Sequence, residues 1–204
     1  MLTAIREPGD PPADPDALPE VFAQSSRWRL SRGAVDAYQE LRAREPQLVS
    51  LVDGKPDAGD LEALVLWEGP RLQGAVSYVV QVNPRRPTDA NRFARIDIVV
   101  VPFASRGLGL GHVLLAAATA YLLRSQGELL YSISCLAAHP AVAHTLEAMG
   151  FVPGARDHLH YVHEELRLER SQGPALAARF CGEAAAALRR ASYALRQRRS
   201  SAPR

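Results

Sequence analysis

The stretch from Arg95 to Gly111 constrains this chain more than any other. Arg95-Ile96-Asp97-Ile98-Val99-Val100-Val101 is the most β-branched run in the sequence, and it stops at Pro102, which has no N–H to continue a ladder. Arg106-Gly107-Leu108-Gly109-Leu110-Gly111 follows, and from Gly109 to Gln126 the residues Val113, Leu114, Ala117, Tyr121 and Leu122 fall on one helical face. Gly127 stands where a helix C-terminus takes a left-handed residue. A buried strand, a glycine turn and a helix in that order have few uses. Glycine reaches positive φ and lets the backbone approach a ligand closely. The first amides of a helix lack internal partners and lie at the positive end of its dipole, so such a turn suits a phosphate.

Two phosphate loops do not match. A Walker loop ends in Gly-Lys-Ser or Gly-Lys-Thr, and the only lysine of the chain, Lys55, is remote. A dinucleotide site takes GxGxxG and an acidic residue on the next strand; here Gly107, Gly109 and Gly111 are spaced GxGxG, and the next apolar run, Leu129 to Leu136, has no carboxylate.

The rest of the chain supplies a frame for the turn. The first two dozen residues include Glu7-Pro8-Gly9-Asp10-Pro11-Pro12-Ala13-Asp14-Pro15-Asp16, which cannot build a core alone and reads as a flexible tail or strap over 1–24. Ser31 is the expected N-cap of a helix carrying Val35, Tyr38 and Leu41, with a second short helix over Gln47 to Val52. Leu61 to Trp67 and Gly74 to Val82 read as a hairpin across Glu68-Gly69-Pro70-Arg71. Leu129 to Leu136 is a strand, Pro140 to Met149 a helix closed by Gly150, and Leu159 to Leu166 a last strand. This order implies an α/β (α+β) domain over 25–166: a mixed, mostly antiparallel sheet flanked by helices, with one parallel strand-helix-strand crossover at the glycine turn. Over 167–204, Leu176, Phe180, Ala184, Leu188, Ala191 and Leu195 recur at helical spacing opposite Arg179, Glu183, Arg189, Arg190 and Arg196, an amphipathic helix with a basic tail that needs a surface to lie against, its own domain or a second subunit.

Val101-Pro102-Phe103-Ala104-Ser105-Arg106-Gly107-Leu108-Gly109-Leu110-Gly111 resembles the acyl-CoA-binding motif of the GNAT acetyltransferases: a strand ending in Val-x-Pro, then Arg/Gln-x-x-Gly-x-Gly/Ala opening a helix. Leu146-Glu147-Ala148-Met149-Gly150-Phe151 is similar to the family's downstream helix closing in Gly-Phe. The resemblance covers about Leu61 to Leu166 in strand order, and its specific part is Val101 to Gly111. It implies a GNAT fold and an N-acetyltransferase that moves an acetyl group from acetyl-CoA to a primary amine by direct attack, with both substrates bound. The alternative is a module of the same shape that senses acyl-CoA without turnover. The resemblance places the CoA pyrophosphate on Arg106, Gly107, Leu108, Gly109, Leu110 and Gly111, with His112 in the first helical turn. It places the pantetheine arm along Val99, Val100 and Val101, where a main-chain amide polarises the thioester carbonyl.

The family's usual glutamate falls near Arg95, which cannot act as a base. Asp97, two residues on and set among Ile96, Ile98, Val99 and Val100, is the catalytic candidate for substrate binding or proton relay, or else the partner of Arg95 or Arg92. The family's general-acid tyrosine corresponds to Leu146, so the acid is unassigned, with His144, Tyr131, Cys135 and His139 the nearest alternatives. His139 replaces an asparagine that often contacts the pantetheine and is a candidate CoA ligand.

Other features exclude more than they assign. A net charge of +2 gives no general reason to expect nucleic acid or membrane as a partner. His158 and His160 share a strand face that His163 does not, so no metal site is expected. Cys135 and Cys181 form no disulfide framework, the apolar stretch Val113 to Leu123 is too short for a bilayer, and no basic-then-apolar leader opens the chain. A cytoplasmic protein acting on a small-molecule or peptide amine, with a homodimer open, is the expectation.

Overall fold

The apolar runs that alternate or branch at Cβ share one seven-stranded sheet, in the order β1-β2-β3-β4-β5-β7-β6. A computed structural model describes residues 18–32, 35–44, 62–83, 85, 90–137, 140–153, 164–169 and 173–201. The strands are β1 (Trp28–Arg32), β2 (Glu62–Glu68), β3 (Arg71–Val82), β4 (Arg92–Val100), β5 (Leu130–Ala137), β6 (Val152–Pro153) and β7 (Glu164–Glu169). The helices are α1 (Glu20–Ala23), α2 (Val35–Arg44), α3 (Leu110–Ser125), α4 (Pro140–Ala148) and α5 (Gly173–Ser200). Neighbouring strands are antiparallel except β4 and β5, which are parallel and joined through α3. This is the mixed, mostly antiparallel sheet with one crossover that the sequence implies.

Several boundaries differ from the sequence reading. Ser31 lies inside β1 rather than capping a helix: Trp28 and Leu30 alternate inward on a strand paired with β2, so this short segment gains more as a sheet edge than as a first helical turn. The helix expected there begins at Val35, and Leu41 is its buried contact. The hairpin is tighter and longer than expected, with Glu68 opposite Arg71 around Gly69 at φ 55 and Pro70. The last paired strand runs over Glu164–Glu169; residues 159–163 and the short helix expected at 47–52 lie outside the described residues. The short α1 turn buries Phe22, so the Pro/Asp-rich tail gives way to packed structure before residue 24.

Each face of the sheet has its own core. On one side Leu64, Leu66, Val76, Tyr78, Ala94, Ile96 and Ile133 meet α3, α5 and the residues Leu146, Met149 and Phe151 at the end of α4. On the other, Ala63, Val65, Ala75, Ile98 and Val100 meet Leu41 of α2. Helix α3 is buried all round, from Leu110 to Leu123 with only Gly111 and His112 partly open. Such a helix needs cover on the side away from the sheet, and α5 provides it with Leu176, Phe180, Ala184, Ala187, Leu188 and Ala191. The amphipathic C-terminal helix therefore lies against its own domain. Gly74 of β3 permits this close stacking: a Cβ there would stand 2.8 Å from the Val100 carbonyl oxygen and 2.9 Å from Leu114 Cδ1.

Candidate functional site

The site begins where two parallel strands part. β4 and β5 pair from Arg92 opposite Leu130 to Ile96 opposite Cys135, and there the ladder ends. β4 continues along β3 to Val100 opposite Ala75, while β5 continues along β7 to Ala137 opposite Glu164. From Asp97 onward β4 thus has one edge unpaired by β5, in the interior of the sheet. The cause is local. Tyr78 faces Ile96 and Ser77 faces Ile98, so Asp97 is the extra residue of a β-bulge, and bulges increase twist and re-aim side chains. Ala94 and Ile96 belong to the α3 face, whereas Ile98 and Val100 belong to the α2 face, which places the switch at Asp97. Val99 and Val101 pack part-buried on the α3 side, so the open edge has apolar walls.

At the top of the open edge the chain passes Pro102 and a 3-10 turn at Phe103–Ser105 into the glycine turn. Gly107 (φ 73) and Gly109 (φ 79) are left-handed, as the sequence leads one to expect, and Gly109 is the N-cap of α3 without a side-chain cap. Leu108 and Leu110, on either side of Gly109, are buried and anchor the turn to the core. The first backbone bond into α3 is donated by Val113 to Gly109 at 3.2 Å, and among the described residues the amides from Gly107 to His112 donate to no backbone carbonyl. A Cβ at Gly109 or Gly111 would meet nothing within 4 Å. Main-chain donors without backbone partners at a helix N-terminus, with open space beside two of the glycines, are a geometry that can receive an anion. Arg106 turns back along the strand, its Nε donating to the Val101 carbonyl at 3.4 Å and its guanidinium 5.4 Å from the Phe103 ring. The side chain of His112 faces α5, with Nε2 3.9 Å from Glu183 Oε2. Burial lowers its pKa, and the Glu183 carboxylate opposes this only in part.

Asp97 has the Arg95 partner that the sequence offered as one alternative. It is 4% exposed, one oxygen receives Arg95 Nε at 2.5 Å, and the other, Oδ2, is buried without a hydrogen-bond partner. A buried carboxylate oxygen left unpaired costs about 1–3 kcal/mol, so its retention calls for an explanation. The four alternatives for an acid fare unequally. Cys135 forms the last rung before the strands part and is fully buried; burial first, and Asp97 second, push its thiol up to about 12, so it stays protonated. Tyr131 lies at the other end of β5, with its hydroxyl accepting from Asn83 Nδ2 at 3.3 Å. His144 is exposed on α4, and His139 lies outside the described residues, as do His158, His160 and His163. Leu146 is a fully buried core residue.

One polar network escaped the sequence reading. Ser105 Oγ donates to Gln73 Oε1 at 2.6 Å, and Gln73 Nε2 donates to Glu68 Oε2 at 3.1 Å, all three residues being buried. Glu68 also binds Arg27 and Arg199. The only signal available was a glutamate and a glutamine flanking the hairpin turn, which look like solvent-facing turn residues until the tertiary structure covers them.

No protein-family model matches the chain, and no curated protein matches it. Solved structures do. The chain is similar to NAA60 from Arabidopsis thaliana, solved in complex with acetyl-CoA, at 12% identity and TM-score 0.54 over 70% of this chain and 99% of that one. It is similar to the spermidine/spermine N-acetyltransferase SpeG from Vibrio cholerae at 14% identity and TM-score 0.52, over 72% and 96% of the two chains. An acetyltransferase of the GNAT family from Streptococcus pneumoniae matches at 13% identity and TM-score 0.50, over 70% and 98%. At these identities the likeness establishes a shared fold.

Proposed function

We infer that this chain, which carries the GNAT fold, is an acyl-CoA-dependent N-acetyltransferase that moves an acetyl group from acetyl-CoA to a primary amine. The observation that carries the reading is the coincidence of the parted β4 and β5 strands with the unpaired amides from Gly107 to His112. A phosphate group at one end and an extended, amide-bearing arm along the other are what acetyl-CoA offers. The turn from Arg106 to Gly111 would hold the pyrophosphate, and the edge from Val99 to Val101 would pair with the pantetheine. The open space above Gly109 and Gly111 fits such a ligand.

In the transfer itself, the amine nitrogen attacks the thioester carbonyl. A C–N bond forms, the C–S bond breaks, and the thiolate leaves with the electron pair. An unpaired main-chain amide on the β4 edge would stabilise the developing oxyanion. The nitrogen must also lose a proton, and Asp97 Oδ2, buried at the bulge without a partner, is the acceptor we assign, directly or through one water. Arg95, bonded to Oδ1, orients the carboxylate. No side chain is assigned to protonate the thiolate, since Leu146 is apolar and Cys135 holds its own proton.

That gap favours a second reading, an acyl-CoA-sensing module without turnover. Calorimetric titration with acetyl-CoA and release of CoA thiol with a panel of amines separate the two. Binding with turnover, and an Asp97→Asn variant that keeps CoA affinity but loses rate, support the enzyme. Tight binding with no turnover on any amine selects the sensor, and absence of CoA binding removes both. No described helix is long and apolar enough to cross a membrane.

A further inference from the structure

The last turn of α5 reaches the glycine turn. The middle of this 28-residue helix is core, but beyond Ala191 it emerges, and Arg196 to Ser200 are exposed. Two consecutive arginines nevertheless hold this exposed end, Arg198 to the segment before the glycine turn and Arg199 to Glu68 of the hairpin. Arg198 Nη2 donates to the Arg106 carbonyl at 2.9 Å, and Nη1 to the Ala104 carbonyl at 3.4 Å. Arg199 Nη2 donates to Glu68 at 2.9 and 3.1 Å. Glu68, its side chain 5% exposed, passes the connection through Gln73 to the hydroxyl of Ser105. The backbone at 104 and 106 is thus tied directly to the end of α5, and the side chain at 105 through Gln73 and Glu68.

The Arg198 contact has a directional consequence. The peptide joining Arg106 to Gly107 is trans, and in a trans peptide the C=O and N–H point opposite ways. Fixing the Arg106 oxygen on Arg198 therefore aims the Gly107 N–H away from α5, the first donor of the unpaired run. The guanidinium also lies 3.2 Å from where a Gly107 Cβ would be, so it backs the turn closely. A cation beside the carbonyl ends of these peptides favours the polarity that an anion on their amide side requires.

The geometry points to Arg198 as a positioning residue for the phosphate-binding turn, acting from the C-terminal helix, so that CoA binding and docking of the last turn of α5 reinforce each other. This rests on the reading of the glycine turn as the CoA pyrophosphate site. Arg198 itself faces the carbonyl side and need not touch the ligand. Because coupling is reciprocal, CoA should order residues 195–201 as much as Arg198 orders the turn.

The test compares the full-length wild type, Arg198→Ala and Arg198→Lys by calorimetry with CoA and with S-acetyl-pantetheine, which lacks the pyrophosphate, and by amide hydrogen exchange without ligand. Far-UV circular dichroism verifies that the exposed substitutions leave the fold intact. Arg198→Ala is expected to weaken CoA binding about tenfold, the size of one charge-assisted hydrogen bond, while S-acetyl-pantetheine binding is unchanged. Exchange over residues 104–109 should accelerate in the same variant, with Arg198→Lys, which can satisfy one carbonyl at a time, in between. Unchanged CoA affinity in Arg198→Ala, an equal loss for S-acetyl-pantetheine, or unchanged exchange over 104–109 would each overturn the proposal. A wild type that does not bind CoA would sink the phosphate reading instead, and the exchange comparison would still decide whether Arg198 holds the turn.

Discussion

Replacing Phe180 by alanine asks whether α5 is an appendage or a wall of the core. Phe180 is fully buried, with the Arg179 guanidinium 4.6 Å from its ring centroid, and it belongs to the cluster that includes α3 and the sheet. Truncation removes about 100 Å² of buried apolar surface, worth about 2.5 kcal/mol at about 25 cal/mol per Å². A residual cavity of about 60 Å³ adds about 1.5 kcal/mol at about 24 cal/mol per Å³. The expected loss is about 4 kcal/mol, within the range for a buried phenylalanine and a large part of a domain's total stability. Urea unfolding gives the answer with two probes. Far-UV circular dichroism follows the helices, and tryptophan fluorescence follows Trp67 of β2 together with Trp28, whose Nε1 donates to Ser192 Oγ of α5 at 2.8 Å. Both transitions should coincide and shift together to lower urea. A loss below about 1 kcal/mol, or helix signal lost well before the fluorescence change, would refute the claim that α5 and the sheet form one cooperative unit.

Three other perturbations test separate parts of the structure. Gly74→Ala should cost about 2 kcal/mol and weaken CoA binding, because the new Cβ presses on the Val100 carbonyl and Leu114 near the top of the open β4 edge; wild-type stability and affinity would contradict the contact. His112 should make stability fall with acidification. Its folded pKa is depressed by burial, so as pH drops through about 6.5 the unfolded chain takes up a proton that the folded chain does not, and the loss continues down to the folded value. Urea midpoints between pH 7.5 and 5.5 should show this slope flattened in His112→Gln, and parallel slopes in the two proteins would exclude His112 as its source. Finally, Cys135, with its thiol pushed up to about 12 by burial, should resist iodoacetamide at pH 8 in the folded protein, as read by peptide mass mapping; alkylation at the rate of a free thiol would show that the last rung before the strands part is open to solvent.

What the sequence determined by itself is local or periodic. The strand from Arg95 to Val101, the left-handed glycines at 107 and 109, helix α3 and the amphipathic pattern of α5 follow from β-branching, absence of a Cβ and helical spacing, all of which act within a few residues. The parallel crossover follows too, because a strand, a helix and a strand in succession have one common way to pack. Tertiary structure decided the rest. The segment from Trp28 to Arg32 became a strand because β2 offered an edge, against the helix start that Ser31 suggested. Asp97 acquired one satisfied and one orphaned oxygen only through the bulge opposite Ser77 and Tyr78, and a bulge is a property of two strands, not one. The arginines at the end of α5, read in the sequence as the basic tail of a helix that needs a surface, meet the segment leading into the glycine turn through contacts separated by more than ninety residues, such as Arg198 to Ala104. A side chain's neighbours at that separation depend on how helices and sheet stack, which no local pattern encodes. The left-handed glycines and the choice of Asp97 were therefore legible from the start, whereas the side chains that hold the turn and the partners of that carboxylate had to be read from the folded chain.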